Sequence, residues 1–143
     1  MINTKNIEEA LKEIKKLIKE GKKVVVEAGD DNFNRKIFES KEVDMVTGLE
    51  FNKKDKLKQR NSGMNEIIAK LAKKNKIDIG IDISRINKLS PFEKTRILGR
   101  IKQNIKLSKK NDVKILVIGA DSRESMSFIK ILGGDTKRVK ILL

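Results

Sequence analysis

Hydrophobic and polar positions change their period several times along the chain, and each change marks a predicted element. From about Asn6 to Glu20, Leu11, Ile14, Leu17 and Ile18 recur at helical spacing behind an Asn6-x-x-Glu9 capping box, and Gly21 ends the run. KKVVVEAG then reads as a buried strand, followed by a short helix beginning near Asp30 or Asp31. VDMVTG predicts a second short strand ending at Gly48, and MNEIIAKLAKKN a helix that Ser62 or Asn61 would cap. In IDIGIDI, Ile77 to Ile83, isoleucine alternates strictly with small polar residues. One face of that strand is apolar, and the other carries Asp78, Gly80 and Asp82.

SPFEKTRILGRIKQNIKLSKKN predicts a long helix opened by a Ser90/Glu93 capping box, with Pro91 at its first position. Phe92, Ile97, Leu98, Ile101 and Ile105 are expected to face inward, and Lys94, Arg96, Arg100, Lys102 and Lys106 to occupy the other faces. KILVIG, ESMSFIKILG and VKILL complete the series as strand, helix and strand. Regular alternation of strand and helix implies a parallel sheet covered by helices, in one α/β domain over residues 1–143. The strand at Ile77–Ile83 favours a barrel, because central strands of a doubly wound sheet are apolar on both sides. Five strands are predicted, fewer than a closed (β/α)₈ barrel requires.

Composition narrows the chemistry. The chain has no cysteine and no histidine, which excludes disulfides, thiolate metal sites, cysteine nucleophiles and the usual general base near neutral pH. Thirty-four Lys and Arg oppose twenty Asp and Glu, a formal charge of +14. A surface this basic attracts polyanions by counterion release, so nucleic acid is the leading partner class. A thermophile surface of balanced ion pairs would carry nearly as many acids. There are five Phe and no Trp or Tyr, and Phe33, Phe38, Phe92 and Phe128 all fit apolar helix faces. Base stacking on exposed rings is therefore not expected, and the partner implied is structured RNA or duplex held by phosphates and shape. No apolar run approaches the roughly 20 residues of a membrane span, and the N-terminus opens into an amphipathic helix. A soluble cytoplasmic protein with no membrane partner is expected.

Candidate phosphate ligands follow from charge and placement. The irregular segment after Gly48 concentrates Lys53, Lys54, Lys56, Lys58 and Arg60 beside a helix start, and is either a phosphate-binding loop or a solvated one. Arg85 and Lys88 would sit on a rim after the third strand. Arg96 and Arg100 are four apart on the long helix, so they share a face and could span adjacent phosphates, or could pair with acids such as Glu93. Arg35 and Arg123 are candidates from their positions near strand ends. The Ser62-Gly63 turn offers backbone donors to a phosphate, or is a tight helix start that needs glycine. Glu27, Asp82 and Asp121 lie near C-terminal strand ends, where barrel enzymes place their chemistry. Three such carboxylates could bind magnesium; otherwise they form polar networks with Lys or Arg, or cap helices.

Three stretches, KVVVEAGDDNFNRKIFESKEVDMVTG, RNSGMNEIIAKLAKKNKIDIGIDISRI and SPFEKTRILGRIKQNIKLSKKNDVKILVIGAD, resemble the archaeal ribonuclease P protein component 3 family. This family is the relative of the thirty-kilodalton subunit of eukaryotic ribonuclease P and MRP. The resemblance covers roughly residues 23–134. It implies a TIM-like barrel that assists a catalytic RNA in removing the 5′ leader of precursor tRNA, near that RNA's catalytic domain. It also implies a companion protein subunit, the homologue of yeast Pop-five. The family usually carries further βα units before the part matching Lys23, and a longer loop between Ala120 and Ser127. A barrel shortened at its N-terminus, incomplete or closed by a neighbour, is expected.

The expected function is thus a non-catalytic RNA-binding subunit of ribonuclease P, with no protein-bound cofactor and with magnesium carried by the partner RNA. Two alternatives are a divalent-metal phosphoesterase using Glu27, Asp82 and Asp121, and a general RNA chaperone.

Overall fold

The computed structural model describes residues 1–51, 54, 55, 57 and 59–140. Its elements run α1 (Ile7–Lys19), β1 (Val25–Glu27), α2 (Asp31–Phe38), β2 (Met45–Thr47), α3 (Glu66–Asn75), β3 (Asp78–Asp82), α4 (Ile83–Asn87), α5 (Pro91–Asn111), β4 (Ile115–Ile118), α6 (Ser122–Ile131), a 3₁₀ turn (Thr136–Arg138) and β5 (Val139–Lys140). The five strands form one parallel sheet in the order β1-β2-β3-β4-β5. Each crossover therefore steps the sheet in the same direction, and right-handed crossovers that never reverse put every helix on one side. A doubly wound sheet reverses direction at a switch point; this one does not. The order is that of a TIM-like barrel, here with β1 and β5 as the outermost described strands.

Register sorts the side chains. Val46 pairs with Ile79, and Ile79 and Ile81 with Ile115 and Val117. These residues point at the helices and form two apolar clusters, one beneath α1, α2 and α3 and one beneath α5 and α6. The other face carries Glu27, Thr47, Gly80 and Leu116, which are joined in successive pairs. Gly80 has a packing reason: a Cβ there would lie 2.6 Å from the Thr47 methyl and 2.9 Å from Met45 Sδ. Thus the Ile/Asp/Gly alternation is architectural. Asp78 pairs with Lys140 at 2.6 Å, and Asp82 ends β3 by capping α4, a short helix the sequence reading missed. Ile83 belongs to α4 rather than to the strand.

Helix starts follow local chemistry, with corrections. Asn6 accepts from the N–H groups of Glu8 and Glu9, but the Glu9 carboxylate receives Thr4 Oγ1 instead of closing a capping box. Asn65, not Ser62 or Asn61, caps α3, accepting from Ile68 N at 2.9 Å. A full capping box occurs at Asp121 and Glu124, ahead of α6. Leu11 and Ile18, expected inward, are exposed, while Ala10 and Ile14 are buried. Phe92 is 74% exposed, against the expectation of a core position. It lies five residues before Ile97, about 140° round the helix from it.

Ile97, Ile101 and Ile105 seat α5, each contributing roughly 1.5–3 kcal/mol of burial. The expected terminal strand is described only as Val139–Lys140, and residues 141–143 lie outside the described residues. Among the described residues no helix is long and apolar enough to cross a membrane.

Candidate nucleic-acid interface

The positive charge divides into side chains spent on the protein itself and side chains left for a partner. Arg100, expected on the surface with Arg96, is 2% exposed. It donates to the Glu50 carbonyl and to Asp55 Oδ1, both at 3.1 Å. Arg100, Asn104 and Ser108 form a buried polar stripe beside the isoleucines of α5. Asn104 Nδ2 donates to the Ser62 carbonyl at 2.9 Å. Together these bonds hold the segment after β2 against α5. The Asn61 N–H, at 2.9 Å, and then the Arg100 guanidinium keep the Asp55 carboxyl below the usual carboxylate range.

The Ser62-Gly63 turn resolves the same way. Ser62 is 1% exposed and donates to the Met64 carbonyl at 3.2 Å. The Gly63 N–H donates to Asn61 Oδ1 at 3.1 Å, so it is already engaged. Arg85 is half-buried, donating to Glu27 Oε1 at 2.5 Å with its guanidinium 3.8 Å from the Phe51 ring centroid. Arg35 is exposed but paired with Glu39 at 3.2 Å. Lys54, Lys88, Arg96 and Arg123 are exposed. Lys53, Lys56 and Lys58 lie outside the described residues.

The carboxylates expected as metal ligands in the phosphoesterase alternative are used structurally. Glu27 holds Arg85 and accepts from Thr47 Oγ1 at 3.0 Å. Asp82 and Asp121 are helix caps. Among the described residues no three carboxylates converge in a way that could hold a metal ion.

Glu50 was not foreseen. It follows β2 and is 1% exposed, and its Oε1 has no hydrogen-bond partner among the described residues. Burial pushes its carboxyl up to about 7, with Glu27 and Asp82 adding to the rise and its own backbone N–H and Arg85 opposing it. The unfolded chain releases this proton near 4.5, while the folded chain keeps it to about 7. Stability is therefore lost as pH rises from 4.5 to about 7, and the loss is complete above that. We expect Glu50→Gln to flatten this slope and to raise stability at pH 8 by up to about 3 kcal/mol, read from urea unfolding at pH 5 and pH 8. An unchanged slope would exclude Glu50 as its source.

Lys102 and Lys106, expected on the outer faces of α5, are found there. Lys102, Lys106 and Lys109 stand at i, i+4 and i+7, all exposed, and none forms a salt bridge among the described residues. With Arg60 they line an open groove of about 800 Å³ between α5 and the Leu132–Gly133 turn. Arg60 is fixed there by its bond to the Gly99 carbonyl at 3.2 Å. Helical spacing could have shown the row: these lysines lie away from Ile97, Ile101 and Ile105. The geometry gives phosphates a line of cations on one rigid helix, with aliphatic stems as its floor.

No protein-family model matches the chain. Ribonuclease P protein component 3 of Methanococcus maripaludis strain C7 is 30% identical over 116 residues, covering 81% of this chain and 47% of that protein. The strain C6 protein is 31% identical over the same shares, and that of Methanocaldococcus jannaschii is 26% identical. The chain spans about half the length of the curated relatives it matches. A chain in the cryo-EM structure of archaeal ribonuclease P with mature tRNA superposes with a TM-score of 0.77, covering 94% of this chain and 60% of that one at 20% identity. That likeness shows the shared fold.

Proposed function

Since this chain is homologous to ribonuclease P protein component 3 over 81% of its length, we propose that it is a non-catalytic, RNA-binding subunit of an archaeal ribonuclease P. It neutralises phosphates of the catalytic RNA and stabilises its fold, so that the RNA removes the 5′ leader of precursor tRNA at lower magnesium. The magnesium ions are carried by the RNA, and this chain supplies no nucleophile and binds no cofactor. Its protein companion in this reading is the homologue of yeast Pop-five, and the assembly works in the cytoplasm.

The observation that carries the reading is the unbridged row of Lys102, Lys106 and Lys109 beside Arg60. Lys54, Arg96 and Arg123 remain as further phosphate contacts. Arg35 and Arg85 would first have to give up their carboxylates, and Arg100 acts from inside, by holding the loop that carries Arg60.

The test is cleavage of precursor tRNA by the cognate RNA at limiting magnesium, with the companion subunit and with or without this chain. Rescue that requires this chain is expected; no rescue beside an active companion would overturn the proposal. Changing Lys102, Lys106 and Lys109 together to alanine should weaken RNA binding on the order of 100-fold at about 0.15 M salt. The same change should lower the slope of log K against log salt by about 2–3. An unchanged slope would move the interface to another face.

A further inference from the structure

Beside the lysine groove, and sharing Arg60 and Gln103 with it, lies a second cleft of about 320 Å³. It opens between the first turns of α2 and α3, the segment leading to Gly63, and α5. Its size is at the lower end of ligand pockets, roughly 300–1,000 Å³. Its lining differs from the rest of this basic surface. Among the described residues no lysine lines it, and most of its polar groups are amides.

Three of those amides build the walls. Asn34 bridges the Gly29 N–H and carbonyl, Asn61 accepts from Gly63, and Asn65 caps α3. The other three, Asn32, Gln59 and Gln103, make no side-chain hydrogen bond among the described residues. A primary amide presents a donor and an acceptor side by side, which matches the edge of a nucleobase rather than the all-acceptor surface of a phosphate. Among the described residues the cations on the lining are Arg60 and Arg35, the latter exchanging its exposed pairing with Glu39 for a phosphate, and Ile67, 57% exposed, supplies an apolar wall. Asp31 is the one acid on the lining among the described residues.

We propose that this cleft receives one unpaired nucleotide of RNA, its base edge read by Asn32, Gln59 and Gln103 and its flanking phosphates held by Arg35 and Arg60. The inference rests on the RNA-binding reading and sharpens it: the lysine row grips any backbone, whereas the cleft distinguishes a looped-out base from a continuous duplex.

The test uses a fully paired RNA hairpin and four versions carrying a single-nucleotide A, C, G or U bulge. Binding to the 143-residue chain is followed by fluorescence anisotropy at fixed salt. At least one bulged hairpin should bind about tenfold more tightly than the paired one. The double variant Asn32→Ala/Gln103→Ala, with Gln59→Ala as a second, independent variant, should bind that hairpin and the paired one alike. A far-ultraviolet spectrum and melting curve would confirm that each variant is folded. The triple lysine variant should weaken all five hairpins equally and keep the preference. Equal binding of every hairpin by the unmodified chain, or a preference that survives both amide variants, would overturn the cleft assignment and leave the RNA reading standing. Binding to none of the hairpins at low salt would overturn both.

Discussion

Replacing Arg100 by alanine should cost about 3 kcal/mol of stability, a large fraction of the roughly 5–15 kcal/mol that folded domains have. The guanidinium is buried, and the charge it meets, Asp55, is on the exposed side of the loop. Truncation removes the donor to the Glu50 carbonyl, leaves a void next to Ile97 and Ile101, and frees the segment that carries Arg60. Arg96→Ala, one turn earlier and exposed, should stay within about 0.5 kcal/mol of the unmodified chain. Urea midpoints of the two variants check the contrast. A loss below about 1 kcal/mol for Arg100→Ala would mean that the guanidinium is not held inside. RNA affinity separates the roles again: Arg100→Ala should weaken binding indirectly, by unfolding the chain and by releasing the segment that carries Arg60, whereas Arg96→Ala removes an exposed cation and leaves the fold intact.

The second large effect is Gly63→Ala, for which we expect a loss of about 3 kcal/mol or more. Gly63 has φ +81°, a conformation that costs an L-residue roughly 1–2 kcal/mol even in open space. Here the space is closed: an added Cβ would lie 1.9 Å from the Leu49 carbonyl oxygen. That contact is with backbone, so it is relieved only by moving the segment after β2 away from the start of α3. Asn104 grips the neighbouring Ser62 carbonyl and resists the movement. A thermal melt within a degree or two of the unmodified protein would refute this account of the turn.

Both predictions concern positions for which the sequence offered two roles, phosphate ligand or structural element; the one placement the structure overturns is that of Arg100 on the surface, and the reason is physical. Arg100 sits about 60° round the helix from Ile97, on the apolar side of Arg96. The same arithmetic brings Asn104 and Ser108 into a buried polar stripe with it. An i,i+4 pairing of Arg96 with Arg100 was true to the spacing but ignored where the stripe of isoleucines lay. Ser62 and Gly63 marked a helix start; what they could not reveal is that Leu49, fourteen positions earlier, lies against that turn. Only the fold supplies such a contact.

What was legible came from local chemistry. Asn6, Asp30 and Ser90 each cap the helix expected near them, and the isoleucines of β3 face the helices as their alternation required. Parallel order was legible from strand–helix alternation, and so was a barrel rather than a doubly wound sheet, from the small polar face of β3. The amide cleft was not. Its lining comes from three separate stretches of chain, and Asn32, Gln59 and Gln103 follow no spacing that would bring them together in the sequence.

The sequential strand order also bears on how the chain reaches its fold. Every strand pairs with the next one along the chain, so each pairing closes only the one helical crossover between consecutive strands, that from β3 to β4 holding both α4 and α5. The most distant strands of the sequence need never find one another for the sheet to grow. Parallel sheets are ordinarily slow to form because their contacts are non-local; here that search is divided into four short ones. A growing sheet can start at its centre, where the β3–β4 register is the longest, and extend towards both edges without rearranging what has already formed.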